Sequence, residues 1–228
     1  MEKIQFNCSG VGNLMTEPKL KIDKDNGSLS ETAKTYIAER WLRDKYGFNE
    51  FTQTIEMKKG ILCEQDSLML AYKVLGGKPR IAFKKMIEND FVRGIPDVIL
   101  DDVVEDIKTS FTIKTFHNAE LTKLYEWQLR CYMWITGLKK ARLIYCLVDT
   151  PLEIINGLQN KLYYQFEQNV DDPDYQKQLK QIEINHTYSH LPENDRVKVF
   201  EVEHSDEKIE QLKLKLEKAI EYYKHIKL

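Results

Sequence analysis

Three charged residues stand where a sheet would be expected to place apolar ones. Asp97, Asp106 and Lys108 lie within GIPDVILDDVVEDIKT, where Ile95, Val98, Ile99, Val103, Val104 and Ile107 mark two short strands. Side chains alternate across a strand, so Asp106 and Lys108 share one face while Glu105 and Ile107 take the other. Asp101-Asp102 suits a tight hairpin, which would set Asp97 beside Asp106. Charged groups on central strands need a partner or a metal. Two carboxylates and an ammonium at one end of a sheet suit phosphodiester hydrolysis. Carboxylate oxygens are hard ligands for magnesium, which keeps several waters. Such an ion polarises a phosphoryl oxygen, and a lysine beside it offsets the charge growing in the transition state. Read singly, Asp97 could be a turn residue after proline, and Asp106 with Lys108 an ion pair on a solvated strand face.

The elements that must position these groups can be read from periodicity. Residues 18–27 are polar and turn-prone, which predicts a loop. Ser28 followed by Glu31 predicts a capping box and a helix to about Tyr46, with Ala33, Tyr36, Ile37, Trp41 and Leu42 inward and Gly47 as its stop. A helix over 61–75 is expected to bury Leu62, Leu68, Met69, Tyr72 and Leu75. Glu64 precedes Leu68 and Tyr72 by four and eight residues, which places it on the sheet-facing side. Alternation over 80–86 predicts a strand. A helix over 121–136 should end at Gly137, and the apolar run 141–148 predicts a strand buried on both faces. Residues 151–168 and 174–182 read as helices, 197–202 as a strand and 206–228 as a helix. That last helix carries Ile209, Leu212, Leu216, Ala219, Tyr223 and Ile226, a seam for packing on its own domain or, less simply, for a coiled coil.

Pro96-Asp97 followed by Asp106-Ile107-Lys108 resembles the signature of the PD-(D/E)xK nuclease superfamily. Glu64 stands where members supply a metal-ligating glutamate. Gln128 and Tyr132, in YEWQLRCYMWITG, match the QxxxY helix of the RecB-type and phage-recombination (lambda-exonuclease-like) branch. The resemblance implies an α/β (α+β) fold with a restriction-endonuclease-like core, a central mixed sheet flanked by helices, and N- and C-terminal helical additions. It implies catalytic roles for Glu64, Asp97, Asp106, Lys108, Gln128 and Tyr132. A magnesium ion, replaceable by manganese, would sit on Glu64, Asp97, Asp106 and the Ile107 carbonyl. Gln128 would hold Lys108 or a phosphate, and Tyr132 the lysine or the DNA. The opening FNCSGVGNLMT is similar to the start of phage recombination exonucleases and transfers a DNA contact to Ser9. Arg93, Ser110 and Lys114 are further candidate DNA contacts, with Lys84, Lys85 and Arg130 as backbone contacts or a solvated face. His117 reads as incidental rather than as a general base.

At 228 residues the chain is read as one nuclease domain (1–228), with a catalytic core about 55–150 and a C-terminal helical region about 151–228. Its formal net charge of −2 gives no hint of a polyanionic partner. The distribution does, since 78–142 is net basic and 143–228 net acidic, and the local field steers a phosphate backbone. The four cysteines, Cys8, Cys63, Cys131 and Cys146, form no CxxC pair, which argues against zinc, a disulfide framework or an iron–sulfur cluster. No apolar run suggests a signal peptide or a membrane span, so a cytoplasmic protein is expected, in the host cytoplasm if phage-encoded. Linear duplex DNA is the expected partner, with a single-strand annealing protein and a ring trimer implied by the resemblance. The same residues would serve an endonuclease, a repair nuclease or a CRISPR-associated nuclease. A catalytically inactive DNA-binding protein is the reading from another class.

Overall fold

The computed structural model describes residues 3–50 and 52–228. Its strands are β1 (Phe6–Asn7), β2 (Ile87–Glu88), β3 (Val92–Gly94), β4 (Val98–Ile99), β5 (Val103–Thr109), β6 (Lys140–Cys146) and β7 (Val197–Glu203). The helices are α1 (Val11–Leu14), α2 (Lys21–Asp25), α3 (Glu31–Tyr46), α4 (Ile55–Leu62), α5 (Glu64–Leu75), α6 (Ile113–His117), α7 (Lys123–Thr136), α8 (Leu152–Gln165), α9 (Pro173–His186) and α10 (Asp206–His225). The main sheet has the order β4-β5-β6-β7, with β5 and β6 parallel and the outer pairs antiparallel. A smaller sheet, β1-β3-β2, stands at the N-terminal side. This is the mixed sheet flanked by helices that the signature implies.

Among the described residues, two apolar clusters cover the faces of the main sheet, and a third, of Phe116, Leu147 and Tyr188, sits at the end of β6. The larger of the two packs α3, α7 and α10 on one face of β5 and β6, through Ile37, Leu129, Met133, Val104, Leu143, Leu212 and Leu216. The smaller of the two lies on the other face, where Cys63, Leu70 and Ala71 meet Ile144, Cys146 and Val148. β6 is thus apolar on both faces because helices cover both. The four cysteines are free and buried. Residues 151–228 are not an appendage: β7 completes the main sheet and α10 buries Ile209, Leu212, Leu216 and Ala219 in the larger core. The seam of α10 therefore packs on its own chain.

Several expectations are corrected. Residues 18–27 contain the short helix α2, closed by Gly27 at φ 61°. The cap of α3 is Ser30, not Ser28; its hydroxyl accepts from Ala33 N at 3.0 Å and pairs with Thr16 Oγ1 at 2.5 Å, which pins the start two residues later. The expected helix 61–75 is two helices that meet at Cys63, and Gly60 lies inside the first because Thr54 already caps it. The buried face is Cys63, Ser67, Leu68, Leu70 and Ala71, while Leu62, Met69, Tyr72 and Leu75 are exposed. Residues 80–86 form no strand. Arg80 turns inward to the sheet and Ile81 outward, and backbone pairing is supplied by Phe83 N to the Asp97 carbonyl at 2.8 Å.

Candidate active site

The β4–β5 hairpin brings the first two acids together. Val98 pairs with Glu105, so the register one step outward sets Asp97 opposite Asp106. Asp97 Oδ2 accepts from the backbone N of Ile107 at 2.6 Å, which locks the carboxylate onto the neighbouring strand. Asp106 Oδ2 lies 2.6 Å from Lys108 Nζ. The contact is close but poorly aligned, so this buried oxygen has no hydrogen-bond partner of good geometry. The other oxygen, Oδ1, accepts from Gln128 Nε2 at 2.8 Å.

Glu105, on the opposite face of β5, is fully buried with Arg80, whose Nε and Nη2 donate to it at 2.7 and 3.0 Å. Arg80 Nη1 also donates to the Gly76 carbonyl at 3.2 Å. This fork ties the end of α5 to the strand that carries Asp106 and Lys108. The pair was not foreseen, although a carboxylate inward on a central strand signals that a cation must come from elsewhere.

Asp97, Ile107 and Lys108 line one cleft of about 460 Å³ with Glu64, Ser67 and Tyr125. Burial first, then the Asp106 and Glu64 carboxylates, pushes Asp97 up to about 6. Burial opposes the charge on Lys108, but the Asp106 and Asp97 carboxylates outweigh it, and its ammonium is held above the ordinary value. The Tyr125 ring faces that ammonium at 5.2 Å. Tyr125 was not singled out from the sequence, yet it precedes Gln128 by three residues and so shares its helix face.

Gln128 reaches Asp106 rather than Lys108 and also donates to the Tyr132 hydroxyl at 3.2 Å. Tyr132 in turn donates to the Ile95 carbonyl at 3.2 Å, and it is buried. Its hydroxyl thereby braces the turn that leads into Asp97. Gly94, just before, has no room for a side chain: a Cβ there would meet Cys8 Sγ and Tyr132 Cε1 at 2.9 Å. Lys59 is another residue the sequence did not flag. It is fully buried on α4 and donates to the Phe111 carbonyl at 3.0 Å, anchoring the chain just past β5, and burial pushes its amine down to about 8.

The candidate DNA contacts divide. Ser9 and Lys114 are exposed. Ser110 is buried, its backbone N donating to the Cys146 carbonyl. Arg130 is occupied by Glu126 at 2.7 Å and by the Glu203 carbonyl at 3.1 Å. Arg93 lies outside the carboxylate cleft. His117 is exposed at the end of α6, and its carbonyl accepts from Lys198 Nζ at 2.6 Å.

Among the described residues no three His, Cys, Asp or Glu side chains form a ready metal cage. Two adjacent carboxylates, one oxygen of Asp106 without a well-aligned donor, and Glu64 on the same cleft are nevertheless a donor set that fits magnesium. That ion retains waters and binds through one or two carboxylates.

No protein-family model and no curated protein sequence matches the chain. Solved structures do. A phage-related exonuclease from Haemophilus somnus 129PT superposes with a TM-score of 0.77 at 23% identity, over 97% of this chain and 94% of that one. The alkaline exonuclease LHK-Exo from Laribacter hongkongensis gives a TM-score of 0.62 at 15% identity, over 96% and 88%, and was also solved with dAMP. Along almost its whole length, this chain has the fold of phage-related and alkaline exonucleases.

Proposed function

We propose that the chain is a magnesium-dependent exonuclease that hydrolyses phosphodiester bonds of duplex DNA, in recombination of the phage kind. One observation carries this reading: Asp97, Asp106 and Lys108, from two adjoining strands, converge beside one cleft in a fold shared with exonucleases. The dAMP bound to the Laribacter relative supports a nucleotide as ligand.

Asp97, Asp106 and the Ile107 carbonyl, with Glu64, are the groups that would hold magnesium, or manganese in its place. The ion, when bound, supplies Lewis-acid neutralisation of phosphoryl charge. The chain does the rest. Lys108, kept protonated by its two carboxylate neighbours, donates toward a non-bridging phosphate oxygen and offsets the charge that grows there. Gln128 fixes the Asp106 carboxylate in one orientation, and Asp97 is fixed by the Ile107 amide. Water adds to phosphorus as one P–O ester bond breaks, leaving a phosphate monoester and a hydroxyl.

The test is digestion of linear and closed-circular duplex with magnesium, with manganese and with a chelator. Loss of linear DNA only, abolished by the chelator and by Asp97→Asn, is the expected result. Nicking of closed circles would replace the exonuclease with an endonuclease. Intact DNA in every arm would leave a fold without this activity. A ring trimer and an annealing-protein partner rest on the resemblance alone, and sedimentation with and without duplex measures the first.

A further inference from the structure

Arg93 opens on a second concavity, of about 690 Å³, between the segment that precedes β1, α3 and the end of α10. Lys3, Arg40, Lys45 and Lys224 share it with Arg93, against only Asp44 and Asp90. Both acids are already engaged. Asp44 takes Arg40 at 2.6 Å and the Tyr223 hydroxyl at 3.0 Å, and Asp90 takes Lys3 at 3.1 Å. Among the described residues, Lys45, Lys224 and Arg93 make no ion pair, and the Arg93 guanidinium reaches only Asn7 Oδ1, at 3.3 Å. Three uncompensated cations in one cleft of a chain with net charge −2 mark a place built for a polyanion.

Trp41 lies in the wall of the same cleft, held edge-on by Tyr46 at 5.5 Å. Cations tracking a backbone with an aromatic ring beside them suit a single strand, whose unpaired bases offer faces for stacking. A duplex hides those faces. The cleft is also tied to the carboxylate site: Arg93 sits on β3, four residues before Asp97, and Gly94 between them is packed against Tyr132.

We propose that this cleft holds a single-stranded segment of the nucleic acid being processed. Arg93, Lys45 and Lys224 contact its phosphates, and Trp41 stacks on a base. The identity of the strand as part of the substrate rests on the nuclease reading above.

The test is equilibrium binding in a chelator, where hydrolysis plays no part, of a fluorescent single-stranded oligonucleotide and of its blunt duplex. Lys45→Glu with Lys224→Glu is compared with wild type and with Lys177→Glu plus Lys180→Glu, an equal charge change on the exposed face of α9. Single-strand affinity should fall roughly tenfold or more in the first pair, with the slope of log K on log salt reduced by about 1.4, and the control pair should stay near wild type. Trp41→Phe, which keeps a ring, should bind more tightly than Trp41→Leu. Unchanged binding in the first pair, an equal loss in the control, or a loss confined to duplex would each overturn the proposal. A wild type that binds the strand through these lysines but digests nothing with magnesium would keep the cleft and remove the nuclease.

Discussion

Gln128 Nε2 donates to Asp106 Oδ1 at 2.8 Å, so helix α7 holds the orientation of a carboxylate on strand β5. Both groups are buried. Gln128→Ala would leave that oxygen without a donor, and Gln128→Glu would set a like charge against it. Groups that orient metal-ligating side chains typically contribute about 10–100-fold to metal affinity or activity. Gln128→Ala should therefore raise the magnesium concentration for half-maximal digestion by roughly that factor, and Gln128→Glu by more. Magnesium titrations of the rate measure it; a variant within twofold of wild type would remove this role.

Lys108→Ala should lower the rate on linear duplex by about 10²–10³-fold, the scale for one group that stabilises developing charge. Its side chain is partly exposed, so the fold should survive. Circular dichroism checks the fold, and single-turnover digestion checks the rate. Lys108→Arg should recover little, because the longer planar cation would have to displace Tyr125 or Asp106.

Arg80→Ala should destabilise the protein by about 3–5 kcal/mol, because it strands the fully buried Glu105. Arg142, whose Nη1 lies 3.6 Å from Glu105, can take up part of the loss. Arg80→Met with Glu105→Gln should lose much less than Arg80→Ala, since neither charge is then left alone. Urea melts of the three proteins settle the order; an equally unstable double variant would mean that the pair stabilises for another reason.

The raised Asp97 carboxyl makes stability depend on pH in a definite direction. The folded chain holds that proton more tightly than the unfolded chain, so the stability it contributes is full below the ordinary carboxylate range and lost as pH rises through about 6. In a chelator, Asp97→Asn should thus be more stable than wild type at pH 7–8, on the order of 1–2 kcal/mol after allowance for the open side of the cleft. The gap should close by about pH 4–5. Magnesium at pH 7–8 should raise the melting temperature of wild type and not of Asp97→Asn. Parallel melting curves for the two proteins across pH would show that Asp97 ionises normally.

The hairpin with Asp97, Asp106 and Lys108, the strand β6 and the helix α7 with its Gly137 stop were all legible in the chain, because each rests on local geometry. Alternation along β5 decides which residues share a face, and a two-residue turn decides what lies opposite Asp97. The helix α5 was legible only in part: its register brought Glu64 to the cleft, but Met69 and Tyr72 are exposed, since the stripe that meets the sheet contains Ser67 and Ala71 and periodicity favours large residues. What only the tertiary structure decided are partnerships between distant residues. Gln128 takes Asp106, 22 positions away, in preference to Lys108; Arg80 leaves an apparent strand to meet Glu105, 25 away; Arg93 turns from the carboxylate cleft to a cleft shared with α3 and α10. Residue type states that a buried charge needs a partner, but which partner arrives depends on how whole helices dock, and docking is set by packing summed over the core.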